Sequence, residues 1–205
     1  MKSHSNSSHS QYSFTFPEMI EKLRAITPRS EIVLEEVPAP QKLATYSFAF
    51  TADIQSESTH SDPGATEVAS GRFVILHEPG GQDTWEGDFR CVTFMRADVD
   101  VQMQEDPLLP EVGWNWLLDS LGAMQANYTA PSGTVTRVSS SSFGKLAPRS
   151  EGSEMEIRAS WTPVIASIDD ISLHVHAWCN LMSEVAGLPP IPDGVASISS
   201  ARRRG

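Results

Sequence analysis

Apolar and polar positions alternate most clearly between Ala44 and Ile54. Tyr46, Phe48, Phe50, Ala52 and Ile54 fall on one side, and Thr45, Ser47, Thr51 and Asp53 on the other. A period of two is that of a strand with one dry and one wet face. The alternation recurs where Cys91, Thr93, Met95, Ala97, Val99 and Val101 interleave with Arg90, Arg96, Asp98, Asp100 and Gln102. It recurs again where Met155, Ile157, Ala159 and Trp161 interleave with Glu154, Glu156, Arg158 and Ser160. Arg72 to Glu78 carries Phe73 and Ile75 on one side and Val74 and Leu76 on the other, which predicts a central strand. Ser30 to Val37 reads as a weak strand at an edge, because Pro38 and Pro40 follow at once. Gly133 to Ser139 completes the set. Gln55 to Ser70 and Pro79 to Gly87 are polar and rich in Gly and Pro, and predict loops.

Three stretches keep a helical period instead. Pro17 opens the first, Met19, Ile20, Leu23 and Ile26 stripe it, and Pro28 stops it. The second runs from about Pro110 to Ala126 with Trp114, Leu117, Leu118, Leu121 and Met124 on one face. The third covers Asp169 to Ala186. Ser167 and Asp170 cap its start, Gly187 followed by Pro189 ends it, and its stripe is Ile171, Val175, Trp178, Leu181, Met182 and Val185. One-sided strands and one-sided helices predict an α+β two-layer sandwich, an antiparallel sheet of five to six strands packed with about three helices. The domain spans residues 14–188. Residues 1–13, rich in Ser and His, and 189–205, rich in Pro and Ser and ending in Arg202, Arg203 and Arg204, predict disordered tails.

Charge narrows the function classes. The chain of 205 residues carries 15 Lys and Arg against 26 Asp and Glu, a formal net charge of -11. Such a field repels a phosphate backbone, so direct nucleic-acid binding by the folded domain is not expected. No apolar run approaches a membrane span or a secretory leader, and the two cysteines, Cys91 and Cys179, lie far apart in apolar surroundings. The expectation is a cytoplasmic protein with no membrane association, no metal site and no cofactor.

The segments Asp106 to Leu117 (DPLLPEVGWNWL), Gly133 to Thr136 (GTVT), Glu156 to Pro163 (EIRASWTP), Ala177 to Cys179 (AWC) and Ala186 to Pro190 (AGLPP) resemble those of an uncharacterised actinobacterial family of unknown function. The resemblance covers roughly Phe16 to Pro190 and brings no catalytic residues with it. Genes of that family stand beside a ribonuclease-D-type exonuclease, which implies an accessory role to an RNA-processing enzyme. The element order is also similar to that of small secretion-chaperone-like proteins, acidic modules that dimerise and hold other polypeptides.

Individual side chains give no catalytic motif. The glycines near Trp85 lack the Lys-Ser/Thr of a phosphate loop, and no Gly-x-Ser-x-Gly elbow occurs. Asp98 with Asp100, and Glu154 with Glu156, read as solvated strand faces. His174 falls within the apolar arc of the third helix and reads as a core histidine, while His176 points elsewhere on that helix. Four residues are candidates for a ligand or partner surface. Trp116 lies off its helix's apolar stripe, as interface aromatics do. His77 and Trp85 flank a strand end and its turn, and Trp161 with His77 would line any pocket between sheet and helices. These features favour a non-enzymatic protein-binding or adaptor module of homodimeric form. The alternative is a small enzyme or small-molecule-binding protein using that pocket.

Overall fold

The structure, a computed structural model, describes residues 12–55, 67–99, 103, 105–146 and 152–190. Helix α1 (Phe16–Arg24) starts at Thr15, whose hydroxyl accepts from Glu18 N while the Glu18 carboxylate accepts from Thr15 N at 2.7 Å. This reciprocal pair satisfies two amides that a first turn leaves open. Strands β1 (Ile32–Glu36), β2 (Tyr46–Gln55), β3 (Glu67–Gln82) and β4 (Gly87–Asp98) follow as an antiparallel meander. Helix α2 (Leu109–Ala123), strand β5 (Tyr128–Ser140), a single 3-10 turn at Gly144–Leu146, strand β6 (Gly152–Pro163) and helix α3 (Asp170–Val185) complete the described chain. The strands form one sheet in the order β1-β2-β3-β4-β6-β5, with every pairing antiparallel.

All three helices contribute to a core on one face of this sheet. Phe50, Phe73, Met95, Ile157 and Trp161 rise from the strands to meet Met19, Leu23, Leu121, Trp178 and Leu181. Gly71 on β3 lets α3 come close, since a Cβ there would meet Met182 Sδ at 2.8 Å and the Trp178 ring at 3.0 Å. Helix α3 begins where the Asp170 carboxylate accepts from the amides of Ala166 and Ser167, at 2.8 and 2.7 Å. It ends at Gly187, whose φ of +67° suits a residue without a Cβ. Leu188 N then donates to Ser183 O at 2.9 Å. Among the described residues no helix is long and apolar enough to cross a membrane.

The α+β sandwich matches the alternation in the sequence, and β1 does take an edge. Three differences have physical causes. The loops expected either side of Arg72–Glu78 are partly strand, because β3 pairs with both neighbours and gains length from each. Strand β5 starts at Tyr128, ahead of the expected Gly133. It accommodates Pro131 through a bulge, in which Thr129 to Ser132 opposes the shorter step Thr162 to Ser160. The outer face is also drier than alternation suggested. Ala49, Val74 and Leu76 are buried there beneath Val37, Ala39, Ala44 and Trp85. The cover is the segment between β1 and β2, a strap held down where Ser47 Oγ donates to Pro40 O at 2.9 Å and Arg72 donates to Pro38 O. Most of both expected tails, and Asp100, lie outside the described residues.

Candidate functional site: the outer face of the sheet

Beside the strap, the uncovered part of the outer face forms a groove of about 800 Å³. That volume falls in the range of ligand sites. Its floor crosses the strands, from Val74 on β3 through Val92 and Phe94 on β4 to Ser160 on β6 and Ser132 on β5. Pro38, Ala39, Pro40 and Leu43 of the strap make one wall. Leu43 is exposed. Alternation puts all these floor side chains on the face away from the helices, so the core is not interrupted to make the site.

The charged groups of the groove are arginines. Arg158 stands over the Phe94 ring, 5.0 Å from its centroid, and also binds Glu156 at 2.8 Å. Arg72 donates to the strap carbonyl of Pro38. Arg90 lies beneath the floor and is only 7% exposed. Its Nη1 donates to Ala130 O at 2.9 Å and Thr162 Oγ1 at 3.0 Å. Its Nη2 donates to Ser160 Oγ at 2.7 Å and Ser132 Oγ at 3.1 Å. The bulge explains the first of these bonds. Ala130, at φ +47°, has left the ladder register, and its carbonyl is satisfied by the guanidinium instead. Burial lowers the Arg90 pKa, opposed by the charge of the exposed Glu86, and none of its four described hydrogen bonds goes to a carboxylate.

The four side chains singled out from sequence do not converge. Trp161 is fully buried in the core, where its indole N–H donates to His174 Nδ1 at 3.1 Å. His77 sits two strands away on β3, stacked on Phe89 with 4.2 Å between centroids and flanked by Phe16 and Tyr46. Its burial lowers its pKa, against the opposing charges of Asp88 and Glu78. Trp85 is on the opposite face, packed on the patch under the strap, with its carbonyl accepting from Thr162 Oγ1. Trp116 is half-buried against the helix-side core. Gly113 and Ser120, flanking it on α2, are both buried, so the covered arc of α2 reaches further round than its large apolar residues indicate.

On the helix side a second cleft of about 690 Å³ lies between the segment after α1, the end of α2 and α3. Asp119, Ser120, His176, Asn180 and Glu184 line it. Burial, then the charge of Asp119, raises the Glu184 pKa, and burial lowers that of His176. Among the described residues no hydrogen bond joins these groups into a nucleophile and base. Among the described residues no three His, Cys, Asp or Glu side chains are grouped to hold a metal ion.

Sequence reasoning placed Arg90 on a wet face and missed its role. The signal available was Pro131 inside a strand-like stretch, which marks a bulge and hence a carbonyl in need of a donor. The chain matches, over residues 12–196, a family described as a protein of unknown function, DUF3000. No curated protein and no solved structure matches it.

Proposed function

We propose, for a chain that belongs to the DUF3000 family, the role of a non-enzymatic binding module whose outer-face groove takes an acidic, apolar-bearing segment of another polypeptide. The observation that carries this reading is the sign of the groove. In a chain of net charge -11, its charged lining is Arg72 and Arg158 over the floor and Arg90 beneath. At physiological ionic strength exposed charges are felt over about 8 Å, so Arg72, and Arg158 with its Glu156 partner, weigh more on the groove than the distant acidic body does. The apolar floor of Val74, Val92 and Phe94 and the wall of Leu43 supply the complementary surface for aliphatic or aromatic side chains. Arginine above an aromatic ring is a common arrangement at such surfaces.

The test is fluorescence anisotropy with three labelled synthetic decapeptides, alternating Leu with Glu, with Ser or with Lys. The Glu/Leu peptide should bind most tightly, and R72E/R158E should weaken it by roughly tenfold or more. Phe94→Asp should abolish binding, while Glu184→Gln in the helix-side cleft should leave it unchanged. Equal or tighter binding of the Lys/Leu peptide would overturn the reading.

A further inference from the structure

Arg90 raises a question that the fold alone does not answer. A guanidinium stays charged at any ordinary pH, and burying it is costly unless a counter-charge is supplied. Ordinarily a carboxylate supplies it. Here every described hydrogen-bond acceptor is neutral, one carbonyl and three hydroxyls, and the exposed Glu86 acts on the guanidinium only as a charge without a described hydrogen bond, although acidic residues outnumber basic ones 26 to 15.

The two serines differ from the other acceptors in where they lie. Ser132 and Ser160 line the groove, whereas Ala130 O and Thr162 Oγ1 turn toward the bulge and the Trp85 turn. Each serine oxygen accepts from Nη2, so its own proton is free to be donated. The two oxygens are 3.2 Å apart, and one hydroxyl can donate to the other. That leaves at least one O–H to point into the groove, polarised by the cation that both oxygens contact. Hydroxyl donors backed by a buried positive charge suit an anion.

The geometry points to a carboxylate subsite at the Ser132–Ser160 pair, with Arg90 beneath it as the counter-charge and Val92 and Phe94 beside it for the apolar part of the same ligand. This deepens the binding-groove reading and rests on it. A monoanion is the matching class. The subsite holds a single positive charge, and a phosphate of charge about -1.5 to -2 would leave negative charge uncompensated in a partly desolvated place. The carboxylate can come from a chain terminus or from an Asp or Glu side chain.

The experiment is an amide-resonance titration of the full ¹⁵N-labelled chain with sodium 4-phenylbutyrate and, separately, with 4-phenylbutyramide, which has the same shape and no charge. The carboxylate should shift Ser132, Gly133, Thr134 and Ser160 and bind roughly tenfold more tightly than the amide, the ratio expected for a charge-assisted hydrogen bond. S132A/S160A, with its fold verified by an otherwise unchanged amide spectrum, and the milder S132A alone, should bring the two probes toward equal affinity. Equal affinities in the wild type, or a preference that survives the double substitution, would end the subsite while leaving the groove in place. If neither probe shifts Val92 or Phe94, the groove reading itself fails and the subsite with it. N-acetyl-Phe-Leu with a free or an amidated C-terminus, and amidated N-acetyl-Phe-Glu, then tell a terminal from a side-chain carboxylate.

Discussion

The Trp161 indole N–H donates to Nδ1 of His174 at 3.1 Å, inside a core that leaves the imidazole 0% exposed. A nitrogen that accepts carries no proton, so the neutral ring holds its hydrogen on Nε2, which has no partner among the described residues. Charging this ring would put a proton on Nδ1 and turn the Trp161 bond into a clash of two donors. Burial pushes the His174 pKa down to about 4, against the opposing pull of the Asp170 carboxylate.

From this follows a pH dependence. A base whose pKa is depressed on folding binds more protons when unfolded, so its contribution is full above its ordinary value of about 6.5 and is lost as pH falls toward 4. The loss across that window should approach about 3 kcal/mol. Glu31, which Arg29 holds at about 2, loses its own contribution at lower pH, so the two effects separate. Thermal melts at pH 7 and pH 4.5 should show a large drop in Tm that His174→Gln reduces. An unchanged drop would refute the assignment. Some slope should remain, because burial also lowers the pKa of His77 and His176.

Gly133→Ala should destabilise the protein by at least about 2 kcal/mol. A Cβ at Gly133 would collide with the carbonyl of Arg158 across the β5–β6 ladder and would stand 2.8 Å from the Trp114 ring. Backbone paired in a sheet cannot move aside as a flexible side chain can. Gly122→Ala is the control, since nothing lies within 4 Å of a Cβ there. Urea denaturation of both variants measures the difference, and similar midpoints would contradict this picture of the ladder.

The thiols should be inert in the native protein. Burial pushes Cys179 up to about 12 and raises Cys91 still further, so neither is a thiolate near neutrality. Ellman's reagent should label almost nothing until guanidinium is added, and then both cysteines. Fast labelling before unfolding would mean that α3 or β4 opens locally.

Thr15→Ala should cost about 1 kcal/mol, the usual effect of losing an N-cap hydroxyl. Thr15→Ser should cost much less, because the capping oxygen remains. Chemical denaturation distinguishes them, and equal losses would show that the hydroxyl does not cap α1.

Much of the architecture was legible because each strand alternates and each helix has a stripe, and these patterns are local. Ile157, Met95 and Trp161 could be assigned to the core from their neighbours in sequence alone. The groove could not. Arg90, Ser132 and Ser160 belong to three strands, and their meeting depends on the register of β4, β6 and β5 and on one extra residue at the bulge. The drier part of the outer face was hidden for a related reason. Val74 and Leu76 showed that β3 needed cover on both sides, but only the folded chain shows that Val37, Ala39 and Trp85 provide it. His174 was readable as a core residue from its helical phase, whereas its bond to Trp161 joins two elements and had no signature.

The strap from Val37 to Ala44 has a consequence for how related chains can diverge. Its two ends are anchored, by Val37, Ala39 and Ala44 packing on the sheet and by the Pro38 and Pro40 carbonyls accepting from Arg72 and Ser47, while its tip walls the groove. Gln41, Lys42 and Leu43 can therefore be exchanged without disturbing one strand pairing or one buried helix contact. One wall of the groove is thus set apart from the strands that make its floor, so evolution or an engineer can retune that wall while leaving the scaffold alone.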